Sequence, residues 1–426
     1  METNQKQQNE FLTFLYSTFG RILTIGVITL VLMIPLTRVY FLIIERADRA
    51  ETVNEELENE WGGQLEYKGI YLRVPIIDKN KAKGYAFFYP KSQNDAVKIA
   101  VSDKKRGIYN FTVFQTEAQS NVTFEIKKKA SELDWTKAQL GILTNQNARF
   151  TNVDTFEING KKLAILGETQ AHQNTSDKLI VSEPFAIPNE ALHLKVNAAF
   201  SCNASGSIQV KSVANKTQLK MTSNWNTPSF GGTHLPVPNK TKITKKGFEA
   251  EWNKINLGDN GKNYSTNQIN EAEDAIAETS FIYPVDQYQL NERTVKYAIL
   301  VVSLTFAIFF LSELIGKMSI HPLHYLMIGL ALILFYVLLL SFSEQIGFDK
   351  SYLIACSAIV LVIIWYAKAI LQSLKFAIMC GTSIILLYAF LFVIVNLETY
   401  ALIVGSIGLF FVLVAIMNFT KRLKIQ

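Results

Sequence analysis

The chain has 426 residues, of which 49% are hydrophobic and only 18% charged, with a formal net charge of +6. That composition is too apolar for a soluble protein of this size, and the apolar residues are concentrated in runs. The basic excess lies beside those runs and leaves no basic stripe on the polar part. Nucleic acid is therefore excluded as a partner.

Six apolar runs are long enough to cross a bilayer, since about 20 helical residues span the hydrocarbon core. They cover residues 22–44, 295–315, 321–342, 351–371, 375–396 and 399–419. The first run lacks the cleavage site of a signal peptide and is predicted to remain as an anchor. We expect the lipid bilayer to surround these six helices.

Positive charge is concentrated on one side of the predicted spans. The basic residues on that side are Arg21, Lys317, Lys368, Lys375, Lys421, Arg422 and Lys424. The short loops on the other side hold Glu344, Asp349, Lys350 and Glu398. Because Lys and Arg are enriched in cytoplasmic loops, both termini are predicted to be cytoplasmic and the large loop extracytoplasmic.

The large loop begins with a helical pattern. Val53, Leu57 and Trp61 recur with a spacing of four residues, and Gly62–Gly63 supplies a stop. This segment is either a stalk helix that continues the first span or an amphipathic helix lying on the domain. Near the other end of the loop, the segment starting at Ile269 opens with a short acidic helical pattern.

Between these ends the pattern changes to period two. Val122, Phe124 and Ile126 alternate with polar residues, and residues 192–200 do the same. Asn159–Gly160 is a pair that suits a two-residue hairpin turn. Several such strands predict an antiparallel sandwich or a barrel-like domain.

The expected fold class is therefore membrane α-helical, with six transmembrane helices and a large all-β periplasmic domain. The expected domains are a cytoplasmic N-terminus (1–21), transmembrane helix 1 (22–44), a periplasmic β-rich domain with membrane-proximal helices (45–294), a five-helix transmembrane unit (295–419) and a cytoplasmic C-terminus (420–426). Of the three cysteines, only Cys202 lies in the outer domain, so a disulfide within that domain is excluded.

No motif for nucleotide binding, metalloprotease or serine-hydrolase chemistry occurs in the sequence, so no catalytic residue, cofactor or metal is expected. His321 and His324 have the i, i+3 spacing of two helical metal ligands. Because Pro322 follows His321, we interpret the pair as the beginning of a helix, with His321 at the capping position.

Glu313, Glu344 and Glu398 lie near the ends of predicted spans. Acidic residues inside membranes can mark ion or substrate pathways. We expect Glu313 to be a carboxylate that reaches toward the membrane surface, with a pathway role as the alternative.

The uncharged stretch SNWNTPSFGGTHLP, residues 223–236, contains Trp225 and Phe230. Its two prolines and Gly231–Gly232 fit a rigid connection inside the β domain. We interpret it as a structured corner whose two rings cover the core, and a binding loop is the alternative.

Several long motifs, in one order along the chain, resemble the CreD family of inner-membrane proteins of cell envelope integrity. They are LIIER-x-x-R (42–49), WGGQ (61–64), KGIYLRVPI (68–76), KRGIYNFTVF (105–114), SNWNTPSFGG (223–232), KKGFEAEW (245–252), PVDQYQLNERTVKYAIL (284–300), the third-span motif (321–348) and the sixth span (396–422). His324 departs from the Gln expected in the family, and Arg38 lies in a span that is usually apolar.

The resemblance implies a bacterial inner-membrane protein linked to envelope maintenance, colicin tolerance and the response to β-lactam stress under a two-component system. It assigns no catalytic residue or ligand. Three functions stay open: a non-enzymatic envelope protein whose outer domain senses or contacts an unknown envelope protein or polymer, transport or lipid handling by the helices, and an enzyme acting on envelope polymers. The oligomeric state is not predicted.

Overall fold

The computed structural model describes residues 18–77, 84–126, 130–170, 177–188, 193–255, 264–267, 269, 275–281, 287–316, 318–397 and 400–421. The chain divides into two compact units. One unit combines Met1–Ala50 with Val285–Gln426, and the other is Glu51–Pro284.

Helices, most of them apolar, form the first of these units. The helices are α1 (Thr18–Trp61), α2 (Gln287–Lys296), α3 (Ala298–Gly316), α4 (Pro322–Ile346), α5 (Phe348–Leu371), α6 (Leu374–Asn396) and α7 (Ala401–Thr420). Among the described residues, α1, α3, α4, α5 and α6 are long and apolar enough to cross a membrane. A shorter apolar stretch, Ala401–Ala415, lies in α7, where the sequence predicted a sixth span.

The stalk interpretation of the first helical pattern is confirmed, whereas one predicted span is divided. The first span and the helical pattern that follows it are one uninterrupted helix, α1, of 44 residues. The predicted second span is divided, because α2 ends at Lys296 and α3 begins at Ala298. Apolar periodicity did not detect this break, since the residues on both sides of it form helices.

Two sheets make up the β-rich unit. Their strands are β1 (Leu65–Pro75), β2 (Tyr85–Phe88), β3 (Ser92–Arg106), β4 (Tyr109–Glu125), β5 (Gln139–Thr144), β6 (Arg149–Ile158), β7 (Lys161–Lys162), β8 (Ile165–Gln170), β9 (Lys178–Ser182), β10 (His193–Ser205), β11 (Ser207–Val210), β12 (Lys216–Ser223), β13 (Ser229–Gly231), β14 (Lys242–Thr244), β15 (Gly247–Ile255), β16 (Tyr264–Thr266) and β17 (Ala277–Ser280).

The eight-stranded sheet has the order β14-β15-β12-β3-β4-β10-β6-β7. The nine-stranded sheet has the path β13-β17-β11-β1-β5-β9-β8, with β2 beside β1 and β16 beside β2. One buried apolar cluster contains side chains of both sheets, among them Leu72, Phe124 and Trp252. The region is therefore organised around a shared hydrophobic core.

The predicted strand pattern is confirmed at several positions. Val122 and Phe124 on β4 and Val196 and Ala198 on β10 are buried, while the residues between the members of each pair are more exposed. Asn159 and Gly160 both have positive φ, 47° and 81°, in the turn between β6 and β7. Such values at both central residues define the hairpin turn that this pair favours.

The acidic helical pattern near residue 270 is wrong over Ala277–Ser280, and residues 270–274 lie outside the described part of the chain. These residues form β17, which pairs with β11 and β13. Ala277 and Thr279 are fully buried. Tertiary pairing and burial overrode a local helical preference here, as they often do for short segments.

A polar network crosses the core between the two sheets. The Asp95 carboxylate on β3 accepts hydrogen bonds from Ser120 Oγ at 2.5 Å and from Gln93 Nε2 at 2.7 Å. Tyr67 on β1 donates to Ser120 Oγ at 3.2 Å, and Ser212 donates to Gln93 Oε1 at 3.0 Å. All five side chains are at most 5% exposed.

Burial raises the pKa of Asp95 from its usual 3.8 to about 6, although the hydrogen bonds from Ser120 and Gln93 oppose the shift. The facing titratable group is the Tyr67 phenol. The folded state binds the proton of the Asp95 carboxyl more tightly than the unfolded state does. The contribution of this proton to the free energy of unfolding is therefore fully present below about pH 3.8. It is lost as the pH rises through about 6.

We expect Asp95→Asn to stabilise the β-rich unit relative to wild type at pH 8, because the variant removes a buried charge. This advantage should shrink by about 3 kcal/mol toward pH 4, since two pKa units correspond to about that energy. Labelling of the buried Cys202 thiol in the full-length protein, resolved by peptide mass spectrometry during denaturation, measures unfolding of this unit. The exposed Asp103→Asn on the same strand is the control, and equal pH profiles for the two variants would contradict the expectation.

Candidate functional site

A buried carboxylate is the centre of a polar cluster in the helical unit. Glu313 lies near the end of α3, and its side chain is only 1% exposed. Arg21 Nη1, near the beginning of α1, is 2.6 Å from Glu313 Oε1, and the Arg21 side chain is 25% exposed. Glu313 is therefore enclosed by the unit, and an arginine far away in sequence pairs with its carboxylate. Its position near the membrane surface stays a prediction.

Further donors satisfy the rest of this carboxylate. Tyr325 on α4 donates its hydroxyl to Glu313 Oε2 at 2.9 Å, and the backbone N–H of Ile320 donates to Oε1 at 3.2 Å. Arg21 Nη2 also donates to Ser319 Oγ at 3.3 Å. A buried ion pair is stable only when additional hydrogen bonds satisfy its remaining groups, and this one meets that condition.

Close helix packing brings the participating elements together. Gly329 on α4 has no side chain, and a Cβ there would lie 2.2 Å from Leu32 Cδ1 on α1 and 3.0 Å from Phe306 Cζ on α3. Small residues let transmembrane helices approach closely. Gly329 therefore allows the contact between α1, α3 and α4 that places Arg21, Glu313 and Tyr325 within reach of one another.

The cluster borders a cavity of about 160 Å³. Its polar lining includes Arg21, Thr24, Ser319 and His321, and its apolar lining includes Ile25, Ile28 and Ile320. A cavity with a guanidinium at one part and aliphatic side chains at another can hold a small amphiphilic group.

Polar contacts also fasten α1 near the end of its apolar stretch. Tyr40 donates to Glu292 Oε1 at 3.2 Å, and Lys296 pairs with the same carboxylate at 2.8 Å. Arg21 and Tyr40 are 19 helical residues apart, or about 28 Å at 1.5 Å per residue, close to the hydrocarbon thickness of a bilayer. The two sets of polar contacts of α1 are thus separated by about one hydrocarbon thickness.

The structure confirms His321 as the cap of α4, since its Nδ1 accepts a hydrogen bond from the N–H of Leu323 at 3.2 Å. His324 Nδ1 instead lies 2.9 Å from the Tyr366 hydroxyl. Within the described ranges, no group of three or more His, Cys, Asp or Glu side chains is arranged to hold a metal ion.

The other candidate residues lie apart from this cluster in sequence. Tyr288 donates to Glu344 Oε1 at 3.3 Å, and Glu398 lies outside the described residues. Trp225 is 8% exposed and belongs to the core cluster of the β-rich unit. Phe230 packs edge-on against Trp252, with ring centroids 5.5 Å apart.

The sequence did not predict that Arg21 pairs with Glu313. It indicated only that Arg21 is a basic residue at the cytoplasmic end of the first span. A basic residue at the start of one span and an acidic residue at the end of another give a usable signal, because α1 and α3 are antiparallel if both cross the bilayer. That signal does not specify a partner, since other basic residues lie at the same predicted surface.

An apolar helical unit whose chain is interrupted by a large β-rich insertion defines a polytopic membrane protein with one large non-membrane domain. The chain belongs to the family described as Inner membrane protein CreD, whose family model matches residues 17–426. It is similar to the Inner membrane protein CreD of Escherichia coli (strain K12). The two are 28% identical over 418 residues, which cover 92% of this chain and 90% of that protein.

We expect Arg21→Ala to destabilise the helical unit by about 3–5 kcal/mol, because it leaves a buried carboxylate unpaired. Arg38→Ala, at an exposed position on the same helix, is the matched control and should have little effect. The combination of Arg21→Met with Glu313→Leu should regain most of the loss, since apolar groups can replace a buried pair. Thermal aggregation of the detergent-solubilised protein checks this, and a Tm for Arg21→Ala equal to that of Arg38→Ala would refute the assignment.

Proposed function

We propose that this chain is a non-enzymatic inner-membrane protein that supports envelope integrity and the response to envelope stress. In this proposal six helices cross the membrane, α7 being the sixth, and the β-rich unit lies in the periplasm as a two-sheet sandwich. That unit senses or contacts an envelope component.

The observation that carries the proposal is the insertion of the β-rich unit, Glu51–Pro284, between two parts of one apolar helical unit. A domain whose two chain ends both continue into membrane helices is tethered to the bilayer twice. Such a tether suits a protein that contacts the layer next to the membrane. The name of the family, Inner membrane protein CreD, supports a location in the inner membrane.

The distribution of charge supports the orientation. Arg21, Lys368 and Lys375 lie at ends of α1, α5 and α6 that share one side if these helices alternate across the bilayer. The cytoplasmic side carries the excess of Lys and Arg in short loops. With six spans, both termini lie on that side and the β-rich unit lies on the other.

A second candidate function is lipid handling or transport by the helical unit. The cavity beside the Arg21–Glu313 pair favours it, because its mixed lining suits the polar end of an amphiphile. In the sequence, this hypothesis was based on three acidic residues, Glu313, Glu344 and Glu398. In the structure the Glu313 carboxylate is already occupied by Arg21, Tyr325 and Ile320, which favours a positioning role over a transport role.

The orientation predicts which exposed positions a membrane-impermeant maleimide reaches in intact cells. A cysteine introduced by Asp103→Cys, at an exposed site on β3, should be labelled without lysis. One introduced by Lys421→Cys, after α7, should be labelled only after lysis, because it lies in the cytoplasm. The unsubstituted protein corrects for the native cysteines, and the reverse pattern would reject the proposed topology.

The function predicts that a strain without the gene becomes more sensitive to detergent and to β-lactams, because an envelope-supporting protein is missing. The wild-type gene should restore resistance, whereas Arg21→Ala, which lowers the amount of folded protein, should restore it only partly. Growth under graded stress measures the effect. A deletion strain that behaves like its parent under every such stress would remove this function.

A further inference from the structure

A row of amide side chains crosses the eight-stranded sheet. Each member is the direct register partner of the next on the neighbouring strand. The row, here called the amide row, consists of Asn253 on β15, Gln218 on β12, Asn94 on β3, Asn121 on β4, Asn197 on β10 and Glu157 on β6. It places five uncharged amides and one carboxylate in a line on one face.

The amide row lies on the face opposite the core. Asn94 is exposed between the buried Gln93 and Asp95, and Asn121 is exposed between the buried Ser120 and Val122. Asparagine is depleted in strands because its side chain competes for backbone hydrogen bonds. Asparagine at matched positions in four strands therefore runs against local propensity, as expected at functional surfaces.

The hydrogen-bonding capacity of this row is unused among the described residues. In the described part of the chain, none of the six side chains forms a hydrogen bond or an ion pair with another residue. Asn197 Oδ1 is enclosed and has no hydrogen-bond partner among these residues. Buried polar atoms are usually satisfied, so this amide keeps capacity that a bound partner can use after a small side-chain rotation.

The middle of the row borders a cavity of about 200 Å³. Asn94, Asn121, Asn197 and Glu157 line it, together with Thr123 and Lys195. In the next row of the sheet, Ala96 and Ala199 are the register partners of Gln119, so small side chains stand beside the asparagines. The amides are therefore accessible from the open face of the sheet.

The hydrogen-bonding groups of the amide row indicate which kind of ligand it binds. Each amide can both donate and accept hydrogen bonds, which matches hydroxyl and acetamido groups that also do both. Neighbouring strands are about 4.8 Å apart, so the six members extend over roughly 24 Å. The distance between neighbouring strands is close to the length that one sugar ring adds to an extended polysaccharide. The periodicity of the row thus fits a sugar polymer better than a folded protein surface.

Flanking lysines refine the assignment. The adjacent register row contains Lys216, Ser92, Thr123 and Lys195. Ammonium groups beside the five neutral amides, at the part of the row away from Glu157 on one side and next to it on the other, favour a polymer that carries carboxylates on a neutral backbone. We propose that the amide row binds an extended glycan strand of N-acetylated sugars bearing carboxylate substituents. This inference rests on the periplasmic placement of the β-rich unit proposed above.

The full-length protein in detergent is tested against purified peptidoglycan sacculi, chitohexaose and cellohexaose. We expect binding to sacculi and to chitohexaose, and about tenfold weaker binding to cellohexaose, which lacks acetamido groups and their hydrogen bonds. The double variant Asn121→Thr with Asn197→Thr should lose at least about tenfold in affinity, since two amides are removed while β propensity is kept. Gln115→Thr, an exposed amide on β4 outside the row, is the matched control.

Protection of the Cys202 thiol verifies that each variant is folded, and Gln218→Ala, at an exposed position, replaces the double variant if that one unfolds. Three results would each overturn the inference: no binding of sacculi by the wild type, equal affinity for the two hexasaccharides, or unchanged binding by the folded row variants. If the deletion strain is sensitive to envelope stress but no glycan binds, only this inference fails. Glycan binding combined with an unaffected deletion strain instead removes the proposed envelope function.

Discussion

Glu313 is a carboxylate enclosed by apolar helices, and the arrangement of the helical unit depends on the groups that surround it. An unpaired charge there is costly, so α1 must present Arg21, and α4 must present Tyr325, at one depth. Gly329 makes this possible by letting α1 and α3 approach α4 closely. One electrostatic requirement thus fixes the depth of three helices relative to one another, which apolar packing alone does not do.

The β-rich unit also buries a carboxylate, but neutral hydrogen-bond donors surround it instead of an arginine. Its interior network joins the two sheets through Tyr67, Ser120 and Asp95, and the described hydrogen-bond partners of the carboxylate are the neutral side chains of Ser120 and Gln93. The same strands, β3 and β4, alternate between this buried network and the amide row on the opposite face. Because side chains of a strand alternate with period two, one stretch of sequence serves the core and an outer surface at once. A change of register by one residue would exchange the two faces.

Much of the fold could be predicted because its signals are local. Long apolar runs predicted the apolar helices, five of which, among the described residues, are long enough to cross a membrane. Asn159–Gly160 identified a hairpin, since only a few residue pairs adopt its turn. The errors arose where distant residues decide. Ala277–Ser280 became a strand because β11 and β13 lie on either side of it. The partner of Glu313 was not predicted, because Arg21 is 292 residues away in the sequence.

The sequence by itself determined the class of the protein, the number of apolar runs and the alternation of strands, because hydrophobic periodicity depends on neighbouring residues. Long motifs in one order also determined its family. Only the tertiary structure decided which side chains meet. The Arg21–Glu313 pair and the cavity beside it depend on helix packing. The amide row depends on the register of six strands, and no spacing along the chain reveals that Asn94, Asn121 and Asn197 stand side by side.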